Sequence, residues 1–303
     1  MNKLLTTAIF LSLTFSNAAN ADDHHKPTDV TIKPTKITEN IYMLEGEGGN
    51  IGVLRGGEKT ILIDSQFSNL SEKIQKAVSD ISDKPIVFLL NTHHHFDHTG
   101  GNENFEKSGA NIIAHKNVRT RLKNGSYIEA FDKKMEPATS EILPILTYDS
   151  GINLYEAGEE IELLHYPNAH TDGDTAIFFK TSNVIHTGDI YFNAMYPFID
   201  ESNGGSVDGY IKAMEAIIDR ADENTKIIPG HGKLSDKSQM KKDLAMLKDM
   251  SDIIKEAVKN ATDKGEILKN PIVQKHDATY GKGFLSTKKF IGIIYSIYKN
   301  SSK

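Results

Sequence analysis

Across 303 residues the sequence contains no cysteine and no tryptophan, and only nine prolines. Without cysteine there are no disulfide staples, so stability must come from a conventional core or from bound metal. The same absence excludes a thiolate as nucleophile or metal ligand. Beyond residue 21 no apolar run is long enough to span a bilayer. The formal net charge is −6, and a mildly acidic surface argues against nucleic acid or an anionic membrane as the main partner. That leaves a small molecule as the expected partner, while oligomeric state stays open. The composition, 38% hydrophobic and 25% charged, is that of a globular chain long enough for one large domain or two small ones.

Residues 1–21 read differently from the rest. Lys3 gives a positive start, Leu4 to Phe15 an apolar stretch, and Ala19-Asn20-Ala21 a small-residue cleavage pattern. This is the layout of a secretory signal peptide cut after Ala21, which places the mature chain in the periplasm or outside the cell. Residues 22–35, polar and with His24 and His25 side by side, are expected to be a mobile leader.

From Ile41 short apolar runs alternate with glycine and charge. Strands are expected at 41–44, 51–54, 60–64, 85–90 and 111–115, then at 153–155, 160–166, 175–180, 183–187 and 226–228. Helical spacing of apolar residues marks 68–81, 102–107, 117–123, 206–221 and 236–259. The stretch 124–150 has no clear period and is long for a loop, a length that suits a segment covering a site. Near the C-terminus Ile291, Ile293, Ile294, Tyr295 and Ile297 form an apolar cluster, either core or interface. The order of elements suggests two similar halves, sheets inside and helices outside.

The chemistry concentrates in Asn91 to Gly101, "NTHHHFDHTGG". If the chain is still extended as it leaves the strand, His93 and His95 point to one face and His94 to the other. Asp97 and His98 follow after a turn. Zinc takes such nitrogen and oxygen ligands at about 2 Å in near-tetrahedral geometry, and one short segment cannot close that shell. Three later strand ends offer the remainder: His170 in "PNAHTDGDT", Asp189 in "HTGDIYF" and His231 in "IIPGHGK". They sort into one site of His93, His95 and His170 and a second of Asp97, His98 and His231, with Asp189 placed to bridge. Mixed nitrogen and oxygen ligands suit two zinc ions, and iron or manganese tolerate the same set. His115, His165, His186 and His276 have no motif context and read as core or surface histidines.

The pattern H-x-H-x-D-H, followed in order by "AHTDGD", "TGD" and "PGHG", resembles the metallo-β-lactamase superfamily over roughly residues 41–233. That resemblance implies an α+β fold, a four-layer αββα sandwich, with residues 36–303 as a single hydrolase domain ending in a helical extension. It also implies a dinuclear centre in which a metal-bridging hydroxide attacks an ester, lactone or β-lactam carbonyl, with Asp97 as second-site ligand and catalytic residue that orients the nucleophile and relays its proton. Asp189 stands where β-lactamases often carry cysteine or serine, which is closer to lactonase-like and glyoxalase-II-like relatives. The loop after Asp189 offers Tyr191, Phe192, Met195, Tyr196 and Phe198 as an apolar pocket, with Tyr191 or Tyr196 as oxyanion donor. Gly48-Gly49-Asn50 is expected to turn a hairpin over the site. Two alternatives use the same ligands: phosphodiester or sulfate-ester hydrolysis, and metal binding without catalysis.

Overall fold

The structure, a computed structural model, describes residues 30–301. The expected signal peptide and residues 22–29 of the leader lie outside the described residues.

The first half lays down β1 (Lys33–Lys36), β2 (Ile41–Glu45), β3 (Ile51–Gly56), β4 (Lys59–Ile63), β5 (Ile86–Asn91) and β6 (Asn111–His115). After these come a hairpin of β7 (Ser126–Ile128) and β8 (Lys133–Met135), and then β9 (Leu146–Tyr148). The second half adds β10 (Gly151–Glu156), β11 (Glu159–His165), β12 (Thr175–Phe179), β13 (Val184–His186), β14 (Lys226–Ile228) and β15 (Ser235–Asp236). One sheet has the order β1-β2-β3-β4-β5-β6-β9, the other β10-β11-β12-β13-β14-β15.

Strand periodicity explains why these sheets stack. In the first sheet Ile41, Met43, Leu54, Ile61, Ile63, Leu90 and Ile113 pack inward against Ile161, Leu163, Ile177 and Phe179 of the second. Their neighbours Leu44, Val53, Leu62, Leu89 and Ile112 face outward onto a separate cluster. A period of two makes each strand apolar on both faces, as a sheet covered on both sides requires. The outer covers are helices. α1 (Ser71–Ile81) presents Ile74 and Val78 to the first sheet, joined by Phe105 from α3 (Asn102–Lys107), which follows the short α2 (Phe96–Thr99). After α4 (Lys116–Asn124), α5 (Val207–Arg220) and α6 (Lys237–Lys259) cover the second sheet. Ser206 caps α5 by accepting from Gly209 N, and Asp236 caps α6 by accepting from Gln239 N. The fold is α+β, a four-layer αββα sandwich.

Two expectations change, and the open alternative at the C-terminus is decided for core. The leader was expected to run to residue 35, yet Lys33–Lys36 pairs antiparallel with Tyr42–Glu45 and forms the sheet edge. The stretch 124–150 contains the β7–β8 hairpin and β9, which pairs parallel with β6; strands of three residues are too short to show a period. The C-terminal segment folds as α7 (Lys264–Ile267), α8 (Pro271–Tyr280) and α9 (Thr287–Ser301). Ile291, Ile294 and Ile297 of α9 are buried in the helical-side core, with Ile293 and Tyr295 partly buried against it.

Candidate metal centre

Every strand that supplies the site stops at the same edge of the sandwich. β5 ends at Asn91 and releases Thr92 and His93; β4 ends at Ile63 and places Asp64 beside them. Asp64 has a positive φ of 62° and uses both carboxylate oxygens. Its Oδ1 accepts from Thr92 N at 2.8 Å, and its Oδ2 accepts from Thr92 Oγ1 at 2.7 Å and from His98 Nδ1 at 2.7 Å. One buried acid therefore fixes the start of the histidine run and the ring at its end.

The ring orientations follow from where each proton goes. His98 donates from Nδ1 to Asp64, which turns its Nε2 to Asp189 Oδ1 at 3.0 Å. His95 donates from Nε2 to Asp200 at 2.9 Å, and His170 donates from Nδ1 to Phe198 O at 2.8 Å. Their remaining nitrogens, His95 Nδ1 and His170 Nε2, face each other at 2.9 Å. Thr92 Oγ1, which gives its proton to Asp64, accepts from His93 Nδ1 at 3.2 Å, and His93 Nε2 is buried with no hydrogen-bond partner. Lone pairs converging in a buried space repel unless a cation lies between them. The donor set therefore fits a metal ion, with partners on the outward nitrogens that fix each tautomer.

Asp189 sits between the two groups of ligands. Its Oδ2 is 3.4 Å from His170 Nε2 and 3.8 Å from His93 Nε2, while Oδ1 is 3.4 Å from His231 Nε2. Asp97 Oδ2 lies 3.2 Å from His231 Nε2 and 3.6 Å from His98 Nε2. The nitrogen and oxygen atoms of His93, His95, His170 and Asp189 form one cluster within 4.8 Å, and those of Asp97, His98 and His231 form another.

Charge is divided accordingly. Burial pushes His93 well below the ordinary histidine value, helped by the neighbouring imidazoles, and burial pushes His170 down to about 4. Burial also acts against charge on His98 and His231, but the carboxylates of Asp189 and Asp97 outweigh it, raising His98 well above its usual value and His231 to about 9. Burial works to raise Asp97, and His98 and His231 overcome it and hold the acid down at about 2.

Two close approaches require glycine. A Cβ on Gly49 would lie 2.1 Å from the His98 ring, and one on Gly230 would lie 2.1 Å from Asp189 Oδ1. The Gly48-Gly49-Asn50 hairpin does bend over the site, and Asn50 ties it to the His231 loop by donating from Nδ2 to Pro229 O at 2.9 Å and to Gly232 O at 2.7 Å.

The cluster forms the floor of a cleft of about 760 Å³, walled by Phe67, Phe96, Phe131, Phe192, Phe198 and Phe284. Phe192, Met195 and Phe198 line it as expected; Tyr191 and Tyr196 do not. The Tyr191 side chain is fully buried and donates to Asp243 at 2.7 Å, while the Tyr196 ring stacks on Phe290 at 4.5 Å. Both are core residues, because the turn at Gly188–Ile190 breaks strand alternation and sends them behind Phe192. His94 faces away from the two clusters, buried beside His95 and Asp200, with neither ring nitrogen hydrogen-bonded. Of the other histidines, His186 is buried and bonded to Asn50 O, and His276 pairs with Asp249. Asp64, Asp200 and Lys133 are site residues that the sequence alone did not single out. Asp64 carried a faint signal, an acid directly after an apolar strand.

An αββα sandwich with converging imidazoles and carboxylates at one sheet edge is the architecture of a metal-dependent hydrolase. The family model of the metallo-beta-lactamase superfamily matches residues 44–231, and the chain belongs to that superfamily. It is 29% identical over 188 residues to a probable metallo-hydrolase of Methanocaldococcus jannaschii, covering 60% of this chain and 86% of that protein. It is 23% identical over 222 residues to an acyl-coenzyme A thioesterase of Homo sapiens, covering 64% and 76%. Among solved structures, a metallo-beta-lactamase from Pontibacter korlensis superposes with a TM-score of 0.60 at 15% identity, covering 72% of this chain and 99% of that one.

Proposed function

We propose that the protein is a periplasmic dinuclear zinc hydrolase that cleaves an ester, thioester, lactone or β-lactam carbonyl. The observation that carries this reading is Asp189, whose two oxygens face different histidine groups, His170 and His93 on one side and His98 and His231 on the other. Zinc, when bound, supplies Lewis acidity and brings the pKa of a coordinated water from about 16 toward about 7. The chain's own residues do the rest. His93, His95 and His170 would hold the first ion and Asp97, His98 and His231 the second, with Asp189 placed between the two groups. Asp97 lines the cleft as an ionised carboxylate, where it orients the attacking oxygen and takes up its proton. The phenylalanine walls seat the acyl part of the substrate and exclude water around the reacting carbonyl. Export is supported by the signal-peptide pattern of residues 1–21. An acyl carbonyl as target is supported by the thioesterase among the relatives.

The test combines elemental analysis of protein purified from the periplasm with turnover of nitrocefin, acyl lactones, aryl esters, acyl thioesters and bis-p-nitrophenyl phosphate. The reading expects two equivalents of zinc and turnover of at least one carbonyl substrate. Turnover confined to the phosphodiester would replace it with the phosphodiesterase alternative, and full metal content without any turnover would favour simple metal binding.

A further inference from the structure

The cleft is apolar on most of its surface, and apart from the metal-centre residues it carries few charged side chains. Glu45 and Glu47 come from the β2–β3 hairpin, and Lys133 comes from β8. Among the described residues Lys133 is the only lysine or arginine that lines the cleft. Strand alternation explains how it gets there: in β8 Lys134 points outward and pairs with Glu136 at 3.0 Å, while Lys133, opposite Ile128 in the hairpin, turns inward. The hairpin thus contributes Ile128, Phe131 and Lys133 to one wall.

Lys133 Nζ lies 5.2 Å from the centre of the Phe96 ring, and Phe96 sits between His95 and Asp97 in the sequence. Among the described residues no carboxylate pairs with Lys133. Surface lysines usually keep their heads in water and lay their stems on apolar ground. Here the head is half-buried over an aromatic face, beside the space a substrate would fill. A charged side chain in an otherwise apolar wall, away from the metal ligands, is the type of sparse polar group that fixes a ligand's orientation.

We propose that Lys133 is a specificity-determining residue that binds an acidic group on the substrate, so the preferred substrate is an amphipathic acyl compound with an aromatic or alkyl body and a carboxylate or similar anion. This rests on the carbonyl-hydrolase reading and narrows its substrate class. The apolar body lies along Phe131, Phe198 and Phe192; Phe131 is 4.7 Å from Phe198 between ring centres. The anion is drawn toward Lys133.

The test uses the zinc-loaded protein, Lys133→Met, which keeps the apolar stem, and Lys133→Arg, which keeps the charge. Calorimetry with 6-phenylhexanoate and 6-phenylhexan-1-ol gives the ratio of affinities for acid over alcohol. That ratio is expected to fall at least tenfold in Lys133→Met and to be retained in Lys133→Arg. In parallel, kcat/KM is measured for the mono-4-nitrophenyl ester of suberic acid and for 4-nitrophenyl octanoate, which share a chain length and differ by one carboxylate. The ratio of the first to the second is expected to fall in the same way. Ratios that Lys133→Met leaves unaltered would overturn the subsite even with brisk ester hydrolysis. Acid binding that depends on Lys133 in a protein that turns over none of the ester, thioester, lactone and β-lactam substrates would uphold the subsite and sink the carbonyl-hydrolase reading instead.

Discussion

His95 turns its Nε2 to the Asp200 carboxylate, 2.9 Å away, and by doing so aims its Nδ1 at His170. Asp200 is held in turn by Asn203, whose Nδ2 donates at 2.6 Å, and its own backbone N donates to His170 O at 2.9 Å. One residue thus orients a ring and anchors the loop of a second. Carboxylates behind metal-bound histidines typically contribute about 10- to 100-fold in metal affinity. Asp200→Asn is expected to weaken zinc binding at the His93, His95 and His170 site by that factor. Chelator competition measures it, and an unaltered affinity would remove Asp200 from the design of the site.

Asp97 differs from Asp200 because it lines the cleft and shares its carboxylate between His231 and His98. Asp97→Asn keeps the shape and removes the charge. It is expected to lower metal content at the second site and to reduce kcat by about 10²- to 10⁴-fold, the usual worth of a positioned acid or base. A variant with full metal content and full turnover would show that Asp97 neither orients nor deprotonates the nucleophile. In the same preparation series, His94→Ala should keep wild-type metal stoichiometry while His95→Ala depletes the first site, because His94 belongs to neither of the groups around Asp189 and Asp97 and lies instead beside His95 and Asp200.

The pattern of legibility has a physical cause. Strands covered on both faces write themselves as runs such as Ile86–Leu90, and a metal needs several ligands close together, so "HHHFDH" is conspicuous. The residues behind the ligands leave no such mark. Asp64 reaches His98 across 34 positions and Asp200 reaches His95 across 105, each as a single acid in ordinary surroundings. Lys133 was invisible for a related reason: its importance comes from a three-residue strand that only folding brings beside Phe96. The loop after Asp189 is rich in aromatics but has no period to tell lining residues from core ones, and the short 3-10 helix Gly188–Ile190 sends Tyr191 into the core.

Tyr191 gives a direct test of that correction. Its hydroxyl donates to Asp243 Oδ2, which Tyr280 also supports by donating to Oδ1 at 2.9 Å. Tyr191→Phe leaves a buried carboxylate short of a donor, and the loss of one such bond costs about 1–3 kcal/mol. Urea unfolding should show that decrease while kcat and KM for the carbonyl substrates stay at wild-type values. A large fall in kcat with unaltered stability would return Tyr191 to the oxyanion role.

His115 and His165 stack with ring centres 3.6 Å apart and planes 8° from parallel. Both rings are committed as neutral: His115 donates from Nε2 to Asp149 O and accepts at Nδ1 from Asn117 N at the start of α4, and His165 Nδ1 donates to Asp174 O. Burial, then the adjacent His165, pushes His115 down to about 4, and burial lowers His165 as well. Since both folded values lie below the ordinary 6.5, the unfolded chain takes up protons first as pH falls. The stabilisation is complete above about pH 6.5 and is lost progressively as the pH drops toward about 4. Replacing His115 removes part of that dependence, whatever the metal ligands contribute, because their share is common to both proteins. Melting temperatures of wild type and His115→Gln between pH 7.5 and 4 should therefore converge toward the acidic end. Parallel curves would mean that the stacked pair does not titrate with unfolding and that the acid sensitivity resides elsewhere.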